Sequence, residues 1–563
     1  MQFIIKNLGR WLILLIPCVA GAQTTYLPQD NKHRQLLDRL EIRLRSPQLQ
    51  VSAAKPFSRR LVAELAEHAD SLAEAGGIHL SEVDRYAIGQ ALMNNSEWVQ
   101  GDKSAFAGRH SLWNTIYRNK ANFFEVDEKD FFLAINPVLQ LQQSLERNNK
   151  ERIFLNARGV DLRGMIARRV GFYTSVVEHL ERAPLFVQDR AAAFRAVPGA
   201  GRFNKYKQTG WDYSDARGGV TFNAARYLDF QFAYDRNFIG NGYRSLFLSD
   251  EGMSYLFLKI DTRIWKLDYQ NIFMELNPQF PLSVRNGDQL LDKKYAAIHH
   301  LSLNATPWLN LGLFEAVVFG RKNHFDFSYL NPVIFLRTAE KQNNSPDNGL
   351  VGFDFKANLA RRAQLYGQLI FDELVIKELT AGNGWFGNKF GVQLGAKYID
   401  AFKVDNLDLQ AELNLVRPFT YSHYDSSASY SHYNQPLAHP AGANFIEAIG
   451  IVKYRPLPRL TTSARLIAWK QGVDTGDSNF GGNIFKLYNT RQGDYGYTLP
   501  SGPLATGVNA QLLVSYELRE NLFIDGSWLI RRWKTQQDVY SRATTNMLTA
   551  GIRLNMFRRQ YDY

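Results

Sequence analysis

Cysteine is almost absent from this sequence of 563 residues, in which Cys18 is the single example. Disulfides within the chain and thiolate metal sites are therefore excluded, because each needs more than one cysteine. No hydrophobic run long enough for a membrane-spanning helix follows the first 20 residues, which excludes a multi-helix membrane protein. A hydrophobic fraction of 45% excludes a disordered chain. A large soluble protein and a transmembrane β-barrel are the two classes that remain.

Residues 1–22 have the composition of a secretory signal peptide. Lys6 and Arg10 precede an apolar stretch, and Ala20-Gly21-Ala22 ends the segment. A basic start, an apolar core and a small-x-small site predict cleavage after that last alanine. A lipoprotein signal that uses Cys18 is the alternative, but a proline stands where a small residue should precede the cysteine. We therefore expect an exported chain without cysteine.

Basic residues outnumber acidic ones, with 66 Lys and Arg against 54 Asp and Glu, which gives a formal charge of +12. An exported protein is not expected to meet nucleic acid. The acidic partners that fit this charge are lipopolysaccharide, acidic exopolysaccharide or another envelope protein. A solvated surface rich in arginine explains the charge equally well, since net charge identifies no particular partner.

Residues 23–120 are predicted to form a small periplasmic α-helical region. The first helix is predicted over 58–75, where one face carries Leu61, Leu65, Ala69 and Leu72. Ser81 and Asp84 have the spacing of a capping box, which predicts a second helix through Met93. Both helices are short and amphipathic, so they need other elements to pack against.

The hydrophobic period changes to two from about residue 129, and we predict a barrel over residues 121–563. Segments of about ten residues alternate apolar and polar side chains at 228–235, 351–359, 407–417, 508–517 and 548–556. One apolar and one polar face on segments of this length is typical of outer-membrane strands. A soluble β-sandwich also alternates, so the connections between strands must decide.

Short and long connections alternate along this region. Short joins are predicted at 163–164, 224–225, 261–262, 306–307, 361–362, 401–402, 456–458 and 519–520. Longer polar segments are predicted at 142–150, 180–215, 237–252, 277–295, 320–348, 376–387, 419–442, 471–505 and 535–545. Together they imply about 18 strands, with short turns at one end and long loops at the other. The sequence therefore predicts a mainly β fold, a transmembrane antiparallel β-barrel in the outer membrane with both termini in the periplasm.

Aromatic residues near the predicted strand ends suggest the girdles of a membrane barrel. These residues are Trp265, Tyr269, Trp308, Trp469, Trp528 and Trp533. Ordinary strand aromatics are the alternative for each one. Phe557 is predicted to end the last strand, where a terminal aromatic residue suits recognition by the barrel assembly machinery.

The long segment 419–442 is rich in tyrosine and histidine. The side chains that could contact a carbohydrate are Tyr421, His423, Tyr424, Tyr430, His432, Tyr433, Asn434 and His439. A tyrosine face can stack on the apolar side of a sugar ring, and histidine and asparagine offer hydrogen bonds. The alternative is a loop that folds over the barrel mouth and packs on itself.

Motifs for catalysis or metal binding are weak. The three loop histidines, His423, His432 and His439, are nine and seven residues apart, whereas zinc motifs pair their ligands at short spacing. No G-x-S-x-G elbow supports a hydrolase. The glycine-rich stretches 240–243 and 382–385 lack the lysine of a phosphate-binding loop and are predicted to be turns. We expect no enzymatic activity, no metal and no cofactor.

Several stretches resemble the Wzi-type capsule assembly family of outer-membrane proteins, and most closely its Bacteroidetes branch, often labelled gliding-motility RemB. The most specific is TYSHYDSSASYSHYNQPLAHPAGANF at 420–445. The others are LDRLEIRL, KPFSRR, GNGYRSLFLSD at 240–250, YLNPVIFLR at 329–337, LYGQLIFDE at 365–373 and GWFGNKFGVQLGAKY at 384–398.

The resemblance implies a β-barrel with periplasmic helices that acts as a lectin and holds capsular polysaccharide at the cell surface without catalysis. It adds Asn241, Tyr243 and Arg244 of the GNGYRS stretch as candidate site residues. The implied partners are surface polysaccharide, outer-membrane lipid and the barrel assembly machinery. Two alternatives stay open: a porin for small solutes, and an outer-membrane enzyme that acts on lipid or glycan.

Overall fold

The computed structural model describes residues 25–28, 31–45, 53–108, 112, 115–278, 292–333, 335–535 and 544–563. The predicted signal peptide, residues 1–22, lies outside the described residues, as does most of the predicted long segments 277–295 and 535–545. Among the helices described, none is long and apolar enough to cross a membrane.

Eighteen antiparallel strands form a closed barrel, which confirms the fold class predicted from the alternating connections. The strands are β1 Phe131–Glu146, β2 Ile153–Ile166, β3 Val170–Arg182, β4 Gly210–Ala225, β5 Leu228–Asp235, β6 Tyr255–Ile264, β7 Leu267–Leu276, β8 Lys294–Thr306, β9 Leu309–Phe319, β10 Asn348–Leu359, β11 Ala363–Glu373, β12 Lys389–Tyr398, β13 Leu407–Val416, β14 Phe445–Leu457, β15 Leu460–Gly472, β16 Leu504–Arg519, β17 Leu522–Thr535 and β18 Thr544–Leu554. β18 pairs with β1 and closes the barrel. Two short strands, Phe124–Asp127 and Asn204–Tyr206, add to β1 and β4.

Three of the predicted short joins are misplaced. Arg163-Gly164 and Asp261-Thr262 lie inside β2 and β6, whose turns follow at 167–169 and 265–266, and β4 continues through Ala225. Arg163 points into the barrel and pairs with Glu97 at 3.1 Å, while Asp261 binds Arg263 at 2.8 Å. Charged residues of a polar lumen therefore resemble turn residues in the sequence.

The outer face of the barrel is apolar, because the strands alternate as predicted. Along β13, Leu413 is exposed on the outside while Asn414 is buried inside. Trp265, Trp308 and Trp528 are also exposed. The girdle prediction is wrong for Trp469 and Trp533, whose rings line an interior cavity, and the Tyr269 hydroxyl is covered by residue 332.

The two faces of β16 give a matched test of this assignment. Leu512 is exposed on the outside, and its neighbour Leu513 points inward and is half-buried. We expect Leu512→Arg to destabilise the folded barrel by about 2–4 kcal/mol, because an arginine on the lipid face is costly, and Leu513→Arg to cost less. The measurement is the fraction of heat-modifiable folded protein on gels; equal losses in the two variants would contradict the assignment.

Three helices lie in the described N-terminal residues, and in chain order they are α1 Arg34–Leu44, α2 Arg59–Glu74 and α3 Glu82–Asn94. Ser58 caps α2, and Ser81 with Asp84 forms the predicted capping box of α3. The helices pack through a core that includes Leu40, Val62 and Ile88. The periodicity predicted α2 and α3 but not α1.

The helices close the short-turn end of the barrel. Arg39 donates to Asp84 at 3.0 Å and to Asp400, in the turn between β12 and β13, at 2.8 Å. Arg43 donates to Asp84 at 2.6 Å. Lys32 lies 2.8 Å from Glu517 near the turn between β16 and β17. These ion pairs fix the helices against the turns of the wall.

The long connection 236–254 folds into the lumen instead of standing above it. Its Phe238–Ile239 segment forms a two-stranded sheet with Ala54–Lys55 of the N-terminal region. Lys55 also donates from Nζ to the Gly240 carbonyl at 2.9 Å. A loop from one end of the barrel thus meets the chain that closes the other end.

Residues 555–563, here called the tail, turn back into the lumen after β18. The Asn555 amide donates to Asn521 O at 3.0 Å at the short-turn end. At the other extreme, the Tyr563 ring contacts Phe186 at 6.4 Å and the guanidinium of Arg190 at 4.6 Å, both on α4 Leu185–Phe194. The tail therefore runs the length of the lumen. The strand predicted to end at Phe557 ends at Leu554. Tyr563 does not stay at the short-turn end of the barrel but lies beside α4, near the long loops.

Candidate ligand-binding site

The tyrosine-rich segment 419–442 is folded into the barrel mouth. Tyr421 is 1% exposed and Tyr430 0% exposed, with their rings stacked at 5.7 Å. Their hydroxyls donate to the carbonyls of Leu246 and Phe247, at 2.7 Å each. Tyr421 and Tyr430, predicted as candidate carbohydrate contacts, are instead buried, because their hydroxyls satisfy backbone carbonyls of another loop. Tyr433 is buried as well, and Tyr424 is the exposed one of the four.

The loop histidines hold the fold together. His432 Nδ1 accepts from the Asn277 amide at 3.0 Å, its Nε2 donates to Ser254 O at 3.1 Å, and burial lowers its pKa to about 3. Burial also lowers the pKa of His423 to about 4. His439 Nε2 lies 2.8 Å from Glu447. Asn434 donates to Phe194 O at 2.9 Å. Across the part of the chain that is described, no group of three potential metal ligands occurs.

The GNGYRS stretch, 240–245, binds the inner wall. The amides of Tyr243 and Arg244 donate to the Glu412 carboxylate at 2.6 and 3.0 Å. The Arg244 guanidinium donates to Glu251 at 2.9 Å and to the main-chain oxygen of Asp562 in the tail at 2.7 Å. Asn241 and Arg244 are buried. These residues therefore hold loop, wall and tail together, and Arg244 also lines the larger cavity.

A cavity of about 290 Å³ lies between α4, the loops 417–444 and 473–503, and the inner faces of β15 and β17. This volume is close to the lower limit of small-molecule pockets, roughly 300 Å³. Its aromatic floor is formed by Trp469 and Trp533, whose ring centres are 5.8 Å apart. The cavity's polar and charged lining includes Asp189, Arg190, Gln471, Asp474, Lys486 and Asp562.

Arg531 occupies the centre of this aromatic floor. Its guanidinium lies 5.6 Å from the Trp469 ring, 5.3 Å from the Trp533 ring and 4.6 Å from the Phe186 ring. Within the described ranges, Arg531 has no ion pair, and its Nε has no hydrogen-bond partner. A cation that lies among aromatic faces and forms no ion pair can bind an anion or a polar ring.

The alternation of inward and outward side chains along β17 could have identified Arg531 and Trp533 as inward-facing residues from the sequence. Trp528 and Arg532 are exposed on the outer face of β17, so Arg531 and Trp533, which flank Arg532 on either side, both point inward. Phe186 gave no such signal, because α4 lies in a segment predicted only as a long polar connection.

A second cavity, of about 180 Å³, lies between the N-terminal segment and the inner face of β1 to β5. Its lining is densely charged, with Arg217 bound to Asp215 at 2.7 Å. Residues 555–557 of the tail line this cavity, while Asp562 and Tyr563 line the larger one. The tail therefore contributes to the walls of both cavities.

A closed barrel with an apolar exterior, an occupied lumen and an aromatic, charged cavity among its long loops defines a transmembrane β-barrel whose lumen is filled by its own chain. Its fold is similar to that of Wzi, described as an outer-membrane protein involved in group 1 capsule assembly in Escherichia coli and as a carbohydrate-binding β-barrel. The TM-score is 0.55 at 13% identity, over 95% of this chain and 100% of that one. The Wzi-like fold predicted from the resemblance is therefore confirmed.

Two porin-type structures show weaker similarity. OprD of Pseudomonas aeruginosa aligns with a TM-score of 0.42 at 12% identity, over 75% of this chain and 94% of that one. OccAB2 of Acinetobacter baumannii aligns at 0.41 and 8% identity, over 75% and 97%. Neither the family models nor the curated proteins gave a match to the sequence, and the predicted RemB-like branch stays a prediction.

Proposed function

We propose that this protein is a non-enzymatic outer-membrane barrel that binds surface polysaccharide in the larger cavity. The observation that carries the proposal is Arg531, which lies between Trp469 and Trp533 and, in the described structure, forms no ion pair at contact distance. Tryptophan faces suit the apolar side of sugar rings. The fold similarity to Wzi, whose description includes carbohydrate binding, supports the same function.

The cavity favours a sugar that carries a negative charge. A carboxylate or phosphate on the ligand would give Arg531 a charge-assisted hydrogen bond in a partly buried site, where such bonds are strong. The acidic lining residues Asp189 and Asp474 would orient the polymer's hydroxyl groups by accepting hydrogen bonds from them. The ligand class is therefore an acidic polysaccharide, bound through one or two residues at a time.

The proposed orientation places the long loops at the cell surface and the short turns with helices α1 to α3 in the periplasm, as is usual for bacterial barrels. The cavity then opens toward exported polymer. Barrel assembly machinery and a role in surface motility remain proposals that rest on the sequence resemblance. An occupied lumen favours this binding function over a porin.

Replacement of the cavity residues tests the function. Trp469→Ala and Trp533→Ala are each expected to weaken polysaccharide retention about 5- to 10-fold, since an aromatic contact of this kind contributes roughly 1 kcal/mol. Arg531→Gln is expected to weaken the retention of an acidic polymer about 30-fold, because a hydrogen bond to a charged group contributes roughly 2 kcal/mol. The measurement is retention of native exopolysaccharide on proteoliposomes.

Trp528→Ala is the matched control, because it removes an outward-facing tryptophan from the same strand. A carboxyl-reduced form of the polymer should bind wild type and Arg531→Gln equally. Each variant must first show wild-type heat-modifiable mobility. Unchanged retention by folded Trp469→Ala and Trp533→Ala would place the polysaccharide elsewhere, for example at the exposed Tyr424, whose ring lies 5.8 Å from that of Tyr488.

A further inference from the structure

The connection between β9 and β10 lies partly on the outside of the barrel. The part concerned is called the outer strap: residues 327–333, followed by 335–343 with α5 Leu336–Asn343. Its buried side chains Tyr329, Leu336 and Ala339 pack on Phe273, Val317 and Phe319 of the wall. Ile272, Met274 and Val318 belong to the lumen core. Because side chains alternate along a strand, Phe273, Val317 and Phe319, which are next to these residues in β7 and β9, point outward.

Polar side chains of the outer wall and of the outer strap itself form hydrogen bonds with the backbone of the outer strap. The Tyr269 hydroxyl donates to Pro332 O at 2.6 Å. Glu315 accepts from the Leu336 amide at 3.1 Å, and its other oxygen lies 2.9 Å from His299 Nδ1. The Val333 amide donates to the side chain of Asn331 at 3.1 Å. Glu315 and His299 can therefore lie on the outside of the barrel, because Glu315 binds the backbone of the outer strap and His299 binds Glu315.

The outer strap reaches far down the wall. Tyr269 is two positions from the start of β7 at the short-turn end, and the whole strand, Leu267–Leu276, has ten residues. A transmembrane strand needs about 9–11 residues. The contact between Tyr269 and residue 332 therefore lies at the depth of the apolar band and not above it.

The surface that residues 327–333 and 335 of the outer strap turn away from the barrel carries large apolar side chains, whereas α5 exposes Arg337, Lys341 and Gln342. Val333 is 85% exposed, Phe327 80% and Phe335 73%. In water this would be an unfavourable exposure. At membrane depth it continues the apolar exterior of the neighbouring strands.

We propose that residues 327–333 and 335 of the outer strap are embedded in the bilayer, with Phe327, Val333 and Phe335 in contact with lipid acyl chains. Irregular backbone at membrane depth is tolerated when protein groups satisfy its hydrogen bonds. Tyr269, Glu315 and Asn331 do so here, and Pro332 has no amide hydrogen to satisfy. The occupant of this surface is lipid, because the apolar side chains are continuous with the lipid-facing wall.

Fluorophore quenching tests the proposal in the full chain, with Cys18→Ser as the background. Val333→Cys is labelled with an environment-sensitive nitrobenzoxadiazole dye in phosphatidylcholine vesicles. Brominated acyl chains are expected to quench this label as strongly as a label at Leu548→Cys, an exposed position on the outside of β18. Aqueous iodide should leave it nearly unchanged.

Lys322→Cys is the control in the same connection, because Lys322 is exposed just beyond the long-loop end of β9. Its label should be quenched by iodide and not by bromine. A Val333 label that behaves like the Lys322 label would overturn the proposal. A Val333 label shielded from both quenchers would also overturn it, since another protein or a second copy would then cover the outer strap. Wild-type heat-modifiable mobility of each labelled variant excludes misfolding as the cause.

Discussion

Deletion of residues 555–563 is expected to convert a closed barrel into a conducting one. The tail lines both lumen cavities, and its removal leaves β18 complete to Leu554. The two cavities, of about 290 and 180 Å³, would then join into one path along the inner wall. Planar-bilayer recordings should show no stable conductance for the full chain and stepwise conductance for the deletion.

Tyr563→Ala is the control for this experiment, because it removes one ring from the larger cavity and keeps the tail in place. It should remain closed. A silent deletion variant with normal heat-modifiable mobility would mean that helices α1 to α3 and the inserted loops close the lumen without the tail. Conductance of the full chain itself would favour the porin alternative.

Asp84→Asn is expected to release helices α1 and α3 from one another and so to weaken the packing of the helical region on the barrel. The Asp84 carboxylate accepts from Arg39 and Arg43, and all three side chains are buried. Loss of one partner from a buried ion pair typically costs about 3–5 kcal/mol, and the cost here should fall at the lower end of that range because Arg39 and Arg43 both keep Asp400 as a partner. The measurement is proteolysis of residues 53–108 in the purified protein, with Glu82→Gln, an exposed change in the same first turn of α3, as control. Equal resistance of both variants would contradict this role.

Acid should release the same helices in wild type. Burial alone would raise the pKa of Asp84, but Arg39 and Arg43 outweigh it and lower the pKa from 3.8 to about 2. A depressed pKa stabilises the folded state above the ordinary value, and this stabilisation disappears as the pH falls from about 4 to about 2. The loss is roughly 2–3 kcal/mol. Proteolysis by pepsin across this range should show a step that is absent in Asp84→Asn.

The barrel could be predicted from the sequence because period-two alternation is a local property. Each outward residue, such as Leu413 or Leu512, belongs to a face that can be read from its own neighbours. Turn positions were misplaced where inward-facing charged residues such as Arg163 and Asp261 have the composition of a loop. The occupied lumen left no periodic signal, since polar loops that enter a polar lumen and polar loops that stand in water have the same composition.

The candidate site was predicted poorly for a related reason. Tyr421 and Tyr430 are conspicuous in the sequence, yet their partners are carbonyls at Leu246 and Phe247, far away along the chain. No local pattern reveals such a pairing. Trp469 and Trp533 of the cavity also stand out in the sequence. A tryptophan near a strand end suggests a girdle, however, unless the alternation of side chains along the strand is used to show that it points inward.

The position of the tail has a consequence for the order of assembly. β18 and β1 come from opposite ends of the barrel sequence and share eight residue pairs, whereas β1 and β2 share fourteen. This seam joins the most distant segments, so it closes late in folding. The tail can enter the lumen only afterwards. There Arg559 lies 3.4 Å from Glu181 of β3, and Asp562 lies 3.5 Å from Arg465 of β15. These strands lie on opposite sides of the seam, so residues 559–562 hold it closed from inside.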